Sequence, residues 1–341
     1  MIRVAPGFAV AALVLALPNL PGQGLRIPLT GFVVERESRS IRPINGLPGA
    51  SQLGEPLALP IPVALAEFSR RSDFALVIAD SPERRVVLVR DLSETPSLQT
   101  LDEAIPDVDL LALNESGTGA VLYSSTSKRL QFVSGAPDAP QVSAPVSLAS
   151  LPGRVTALAL AASGLSALVA ATDGISGGVY EIGSGPSSMP LASFSAYRPS
   201  AVVYLNGDRD IAYADVFSNQ IVLIRDVNGS REARVLASEA DRIQTPIALR
   251  GIEGALIVAN AGTATLVRCD LLTGATSTLA TLPVVPGRLQ SLSFPGLLLL
   301  NEPGAGPLYL YSTEDSSLLF VPRPAGPVRG HRPTPSLRRS K

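Results

Sequence analysis

A short apolar segment recurs seven times along this chain at nearly constant spacing. The successive copies begin 43, 45, 47, 44, 44 and 42 residues apart. They start at Phe32, Ala75, Ala120, Ala167, Ile211, Ala255 and Leu297. A period of this length marks a repeat architecture, in which each unit buries its apolar faces only against its neighbours. The fold must therefore bring seven similar units into contact.

Each copy lies within a group of short apolar segments that are separated by turn-forming residues. Another segment follows about ten residues later, as at 86–89 and 221–224, and a weaker one comes after that, as at 98–101. A further segment precedes most copies. Four strands in about 44 residues match one blade of a β-propeller. We therefore predict an all-β fold, a seven-bladed β-propeller of four-stranded antiparallel blades that spans residues 25–322.

The first repeat is shorter than the others. Residues 25–59 contain no counterpart of the innermost strand, so we predict a blade of three strands, or one that recruits residues 25–28 as a substitute. The last repeat is complete. Because a closed ring leaves no large sheet face or edge exposed, we expect the first blade to pack directly against the blade of residues 289–322.

The two ends of the chain differ in composition from the repeats. Ten apolar residues run from Phe8 to Leu17 after Arg3, which is enough for the core of a signal peptide and too short to span a bilayer. We predict a signal peptide over residues 1–22 and a secreted or periplasmic protein. Residues 323–341 combine prolines with basic side chains, which predicts a disordered basic tail.

Composition excludes several classes of function. The net charge of −1 argues against nucleic-acid binding, which clustered cations drive. The single cysteine, Cys269, allows no disulfide within the chain, and the single histidine, His331, lies in the predicted tail. A histidine-based triad inside the fold and a histidine cluster for zinc are therefore absent. We expect a monomer without a transmembrane segment.

Two of the repeats carry a more specific pattern. Residues 212–215 lead to 218–226 and then to Asn228 and Gly229, and the next copy reads 257–260, 266–270 and then Thr273 and Gly274. The pattern resembles the YVTN-type propeller repeat of surface-layer and NHL-like proteins, in which a strand that ends in Asp is followed by Thr-Gly. The resemblance implies a secreted or cell-surface propeller and carries no specific activity.

The candidate functional residues lie in the loops that follow the second strand of each repeat, which share one face of a propeller. Oxygen-bearing side chains there could form a ring that coordinates Ca²⁺ or orients a polar ligand. Asp and Asn also occur in such loops because they hydrogen-bond to their own turns, and we favour this interpretation. The ligand-binding candidates are Asp80, Asp173, Asp215, Asn260, Asn301 and Glu302, with Ser124 at the equivalent place.

Other residues with chemical potential have simpler explanations. The pairs Asp107/Asp109 and Asp208/Asp210 are spaced for acid–base work, but their polar surroundings favour solvated turn acids. Cys269 lies in an apolar segment and is expected to be a small buried residue. The sequence identifies no catalytic residue, no metal site and no cofactor.

Two classes of function remain open. The first is a non-catalytic binding or scaffold propeller outside the cytoplasm, with an unknown protein or polar ligand bound on the loop face. The second is a propeller hydrolase or lyase, for example one like a metal-dependent lactonase. The second class requires three or four of the candidate residues to converge on one metal ion.

Overall fold

The regular structure of this protein is almost entirely β-strand. The computed structural model describes residues 28–185, 187, 189–304 and 306–323. Their strands form seven antiparallel sheets that pack side by side in a ring, so the predicted seven-bladed propeller is confirmed. The predicted signal peptide, residues 1–22, lies outside the described residues, as does the predicted tail except for Arg323.

Blades 1 to 3 differ in the number of their strands. The described residues of blade 1 form three strands, and in blade 3 the short strands β11 and β12 both pair with β10 and share the outermost position. The strands are β1 (Leu29–Glu35), β2 (Ser40–Leu47), β3 (Ala50–Leu53); β4 (Val63–Phe68), β5 (Phe74–Ala79), β6 (Val86–Arg90), β7 (Ser97–Thr100); and β8 (Leu110–Leu113), β9 (Gly119–Ser124), β10 (Arg129–Ser134), β11 (Gln141–Val142), β12 (Val146–Ser147).

Blades 4 to 7 each have four strands in chain order from the centre of the ring outward. They are β13 (Arg154–Leu160), β14 (Ser166–Thr172), β15 (Gly177–Gly183), β16 (Ala192–Ala196); β17 (Pro199–Leu205), β18 (Asp210–Asp215), β19 (Gln220–Arg225), β20 (Glu232–Ala237); β21 (Pro246–Ile252), β22 (Ala255–Asn260), β23 (Thr265–Asp270), β24 (Thr276–Thr281); and β25 (Gln290–Ser291), β26 (Leu297–Leu299), β27 (Leu308–Ser312), β28 (Ser317–Val321).

Helical structure is minimal. Within the described ranges, the one helical segment is a 3-10 turn, Glu239–Asp241, in the link between blades 5 and 6. No helix in this part of the chain is long and apolar enough to cross a membrane.

The second strand of each blade is buried along nearly its whole length and has an apolar centre, because both of its faces are covered. In β5, Ala75 and Val77 pack toward blade 1, whereas Leu76 and Ile78 pack toward blade 3. The same alternation produces seven apolar clusters in the described residues, one at each contact between neighbouring blades. These clusters explain why seven copies of the segment are needed to close the ring.

The ring closes between blade 7 and the three-stranded blade 1. Val33 and Ile44 of blade 1 pack with Leu299 and Leu310 of blade 7 in one buried cluster. The expectation of direct packing between these blades is therefore confirmed. In blade 1, β1 takes the place of a second strand, and no described residue occupies the innermost position.

The innermost strands of four blades share an irregularity near their first residues. A register shift interrupts the pairing of β4, β13, β17 and β21 with the strand that follows each of them. At two of these bulges a hydroxyl reaches the next blade: Thr156 donates to Pro199 O at 2.7 Å, and Ser200 donates to Pro246 O at 2.6 Å. These hydrogen bonds tie neighbouring inner strands together around the channel.

Candidate functional site

Two faces of the ring bear loops near the central channel. One face carries the loops that follow the second strands and the links between blades, and we call it the loop face. The opposite face carries the turns that join each first strand to its second strand, as at 69–73 and 114–118, and we call it the turn face. Because the first and second strands of a blade are antiparallel, the ends of the second strands lie opposite the ends of the first. The sequence candidates all lie on the loop face.

Asp173 and Asp215 serve their own loops. Asp173 accepts hydrogen bonds from the backbone amides of Ser176 and Ile175, both at 2.8 Å. These two bonds lower the pKa of the Asp173 carboxyl, and the bond from Ser176 has the larger effect. The buried carboxylate of Asp215 accepts from Tyr197 N at 2.7 Å and from Phe217 N at 2.9 Å. Asp215 therefore joins the loop of blade 5 to the link that leads from blade 4.

The amide candidates are also engaged locally. The fully buried Asn260 donates to Arg242 O at 3.1 Å and accepts from Gln244 N at 3.3 Å. Asn301 accepts from Tyr309 N at 2.7 Å and donates to Pro307 O at 3.1 Å. Both side chains fasten backbone segments of the loop face.

The remaining candidates also have local partners. Asp80 pairs with Arg39 at 3.0 Å, and Glu302 pairs with Arg36 at 2.8 Å. Ser124 is buried and accepts from Ser127 N at 3.3 Å. Except for the chain neighbours Asn301 and Glu302, none of these candidates forms a hydrogen bond or an ion pair with another candidate. In the described part of the chain, no group of three or more acidic, histidine or cysteine side chains is arranged to hold a metal ion.

The paired acids of the sequence also hold turns. Asp208 accepts from the backbone amides of Ala162 at 2.7 Å and Ser163 at 2.9 Å, which connects blade 5 to the turn of blade 4. Asp210 accepts from Asp226 N at 2.9 Å. Asp109 accepts from Ser125 N at 3.0 Å. These contacts agree with a role in turns, but Asp210 is buried and is therefore not the solvated acid that was expected.

An exposed aromatic pair stands on the loop face beside Asp215. The rings of Tyr197 and Phe217 lie 5.2 Å apart, and the residues are 57% and 64% exposed. The neighbouring loop presents the exposed Ile175, and Thr172 of that loop donates to Tyr197 O at 2.9 Å. Three large apolar side chains from two blades are thus grouped on one surface, which we call the aromatic patch.

A wide cavity opens next to the aromatic patch, at the start of the inner strands. It measures about 410 Å³ and is lined by residues of blades 4, 5 and 6, among them Arg154, Arg198 and Val216. Both arginines are exposed. Their side chains make no hydrogen bond or ion pair with the described residues, which leaves two guanidinium groups free at the edge of the patch.

A second cavity of about 300 Å³ occupies the turn-face end of the central channel. The inner strands of blades 2 to 7 contribute its walls, and polar and charged side chains lie among apolar ones. Its charged lining consists of Glu67, Arg70, Glu115, Asp208 and Arg250. Arg288, which precedes β25, approaches Glu67 to 3.8 Å.

The charges of this channel are only loosely paired. Arg70 donates to Glu115 at 3.2 Å, whereas Arg250 remains 3.7 Å from the same carboxylate, too far for a hydrogen bond. Burial raises the pKa of the Glu67 carboxyl, although the charges of Arg288 and Arg250 act in the opposite direction. Burial also lowers the pKa of the Arg250 guanidinium.

Apart from Asp208, the residues considered in the sequence analysis did not include the charged residues of the channel. Glu67 and Arg250 are the charged residues near the turn-face ends of otherwise apolar inner strands, and that break in apolar character was the available signal. Arg288 gave no such signal, because it lies outside a strand. The aromatic patch was missed because Tyr197 and Phe217 belong to different loops that meet only in the folded ring.

Comparison with known proteins supports the fold and does not identify a family. No family model matches the chain, and no curated protein matches its sequence. Similar solved structures include a functionally unknown protein from Desulfotomaculum acetoxidans, with a TM-score of 0.61 and 12% identity over 87% of this chain and 100% of that one. A protein from Lactobacillus plantarum gives a TM-score of 0.62 with 14% identity over 87% of this chain and 96% of that one.

A chain of a nidogen/laminin complex is also similar, with a TM-score of 0.50 and 11% identity over 73% of this chain and 91% of that one. At these identities the likeness extends to the fold alone. The chain is therefore a seven-bladed β-propeller, with one polar channel mouth and one face that bears exposed aromatic side chains.

Proposed function

We propose that the chain is a non-catalytic binding propeller that acts outside the cytoplasm and contacts a partner through its loop face. Its repeats belong, in this proposal, to the YVTN type that residues 212–229 and 257–274 resemble. We further propose that the protein is a monomer, and that residues 1–22 direct its export. Loss of these residues from the mature protein, measured by mass spectrometry after expression in a bacterial host, would support export.

The aromatic patch is the observation that carries this proposal. Large aromatic side chains are enriched at the centres of protein interfaces, where they supply much of the binding energy. Tyr197 and Phe217 are exposed even though burial would stabilise them. Asp215 holds the backbone of both residues, so the pair is fixed in place before any partner arrives.

The surroundings of the patch indicate the chemistry of the partner. Arg154 and Arg198 have no acidic counterpart among the described residues, and both line the cavity beside the patch. An acidic polypeptide segment that also carries apolar side chains would complement both features. The similar chain in the nidogen/laminin complex shows that a protein of this fold occurs in a complex between proteins.

The alternative function, a hydrolase or lyase like a metal-dependent lactonase, has less support. It requires several oxygen ligands to converge on one ion. The side chains of Asp215 and Asn260 instead form hydrogen bonds with backbone groups. The described residues also contain no group of three acidic, histidine or cysteine side chains that could hold a metal ion. No observation in the structure favours this alternative.

Selection of short random peptides displayed on phage tests the proposal and requires no identified partner. The purified, full-length protein is the target. We expect the selected peptides to be enriched in Asp, Glu and apolar residues. Their affinity for the Tyr197→Ser/Phe217→Ser variant should fall by at least about tenfold, because the aromatic anchors are gone.

A matched control uses Phe320, which is 61% exposed on the outer strand of blade 7. Phe320→Ser removes the same kind of side chain far from the patch and should leave peptide binding unchanged. The proposal fails if the selected peptides bind both variants equally well, or if acidic residues are not enriched among them.

A further inference from the structure

Two largely buried arginines with unused hydrogen-bond donors stand at the turn-face cavity: Arg250 lines it, and Arg288 lies beside it, next to the lining residue Glu67. The side chains of Arg250 and Arg288 are 29% and 20% exposed. Neither guanidinium donates a hydrogen bond to any described residue, because the nearest carboxylate oxygens lie 3.7 and 3.8 Å away. Buried charged groups are normally hydrogen-bonded. A site with this many open donors is therefore suited to an acceptor that enters from solvent.

The architecture explains why these groups meet. Arg288 belongs to blade 7 and Glu67 to blade 2, and the blade between them has no described innermost strand. The place that an inner strand would fill is thus available to side chains from both neighbours. The Glu67 carboxylate approaches Arg288 there, and it also interacts electrostatically with Arg250. The arrangement depends on the incomplete first blade.

We propose that the turn-face cavity binds a small organic monocarboxylate, whose oxygens accept hydrogen bonds from Arg250 and Arg288. The planar guanidinium group matches the two oxygens of a carboxylate. The cavity volume of about 300 Å³ is in the range of ligand pockets. This site is separate from the aromatic patch, which lies on the opposite face.

The charges around the site favour a monoanion over phosphate. Glu67 lies near the guanidinium groups of Arg288 and Arg250, so this group of three carries one net positive charge. Arg70 is hydrogen-bonded to Glu115 and adds no free charge. Nearer the turns, Glu115 and Asp208 also line the cavity and would repel a doubly charged ligand. The carboxylate of Glu67 therefore competes with the ligand carboxylate for the positive charges of both arginines.

Isothermal titration of the full-length protein with butyrate, at neutral pH and low salt, tests the proposal. We expect saturable binding by the wild type. Arg250→Gln and Arg288→Gln should each weaken binding by at least about tenfold, because a charge-assisted hydrogen bond is lost. Glu67→Gln should strengthen binding several-fold, because it removes the competing carboxylate. A gain of affinity cannot result from misfolding.

Two controls locate the site. Arg85→Gln makes the same change on an exposed arginine that pairs with Glu83, and Arg154→Gln makes it at the opposite mouth of the channel. Both should leave butyrate binding unchanged. The proposal is overturned if neither the wild type nor Glu67→Gln binds butyrate, if Arg250→Gln binds as the wild type does, or if inorganic phosphate binds more tightly. None of these results bears on the aromatic patch, which peptide binding tests independently.

Discussion

The side-chain oxygens of Ser72 and Ser293 lie 2.6 Å apart, although 221 positions separate the two residues. Ser72 belongs to the inner turn of blade 2 and Ser293 to the inner turn of blade 7. They meet because blade 1, which stands between those blades, has no described innermost strand. Ser293 N also donates to Thr30 O of blade 1 at 3.0 Å. The ring thus closes by contact among three blades, and within residues 28–323 no sheet combines strands from both ends of the chain.

The apolar contacts of blade 1 should carry much of the stability of this closure. Phe32 is buried and stacks on Phe68 of blade 2, with ring centroids 5.9 Å apart. Phe32→Ala leaves a cavity in the cluster between blades 1 and 2 and should cost about 3–5 kcal/mol in the free energy of unfolding. Denaturant titration followed by circular dichroism measures this loss.

Phe320→Ala is the matched control for that substitution. Phe320 is exposed on the outer strand of blade 7, so its removal should change the free energy of unfolding by no more than about 0.5 kcal/mol. Equal effects of the two substitutions would show that the contact between blades 1 and 2 does not contribute to the stability of the ring.

A second prediction concerns two glycines with similar backbone conformations. Gly153 and Gly164 have φ angles of +59° and +73°. A Cβ atom at Gly153 would collide with Thr172 O and lie 2.5 Å from Asp173 Cα, whereas nothing stands within 4 Å of one at Gly164. Gly164→Ala should therefore cost about 1–2 kcal/mol for the left-handed backbone alone. Gly153→Ala should cost about 1–3 kcal/mol more.

Thermal or denaturant unfolding of the two variants, measured side by side, separates these contributions. The φ angle is common to both positions, so any difference reports the collision at the loop-face end of blade 4. If Gly153→Ala were no less stable than Gly164→Ala, the close approach of the link at Gly153 to Thr172 would be absent in solution.

The fold was predictable from the sequence because burial on both faces gives the second strand of every blade an uninterrupted apolar run. Ala75 to Ile78 is one such run, and its counterparts recur at the period of one blade. The lack of an inner strand among the described residues of blade 1 was predictable from the same pattern, because residues 29–59 offer no counterpart of that strand. Local turn chemistry, as at Asp173, was also accessible, because it depends on residues two or three positions away.

The candidate sites were less accessible because they depend on distances between blades. Glu67 and Arg288 are far apart in the chain and meet only through closure of the ring. Tyr197 and Phe217 are nearer in sequence, but Asp215 must first join their two loops. A repeat pattern aligns equivalent positions in successive blades, whereas these contacts link positions that are not equivalent. The period therefore predicts the ring and not its irregular parts.

A third prediction uses the single cysteine as a reporter of unfolding. Cys269 is fully buried between blades 5 and 6, and burial raises the pKa of its thiol to about 12. Because the thiolate is the reactive form, the native protein should react with Ellman's reagent at least about a thousandfold more slowly than the unfolded chain at mildly alkaline pH. One thiol per chain should then appear on addition of denaturant.

Leu272→Cys supplies the control for this experiment. Leu272 is exposed in the turn that follows the strand of Cys269, so the added thiol should react at once while Cys269 remains protected. Rapid reaction of the wild type under native conditions would contradict the tight packing of blades 5 and 6.

The last prediction concerns the pH dependence of stability. Burial raises the pKa of Glu67 above its usual value of 4.5, so the folded protein holds this proton more tightly than the unfolded chain. The resulting stabilisation is fully present below the unfolded pKa and is lost as the pH rises through the folded pKa. Glu67→Gln stays neutral throughout and does not undergo this loss. Its free energy of unfolding, relative to the wild type, should therefore increase between acidic and neutral pH.

Denaturant titrations across that pH range measure the difference in stability between Glu67→Gln and the wild type. Glu83→Gln is the control, because Glu83 is exposed and its variant should follow the wild type. A relative stability of Glu67→Gln that decreases toward neutral pH would mean that the attraction of Arg288 and Arg250 outweighs the cost of burying the carboxylate.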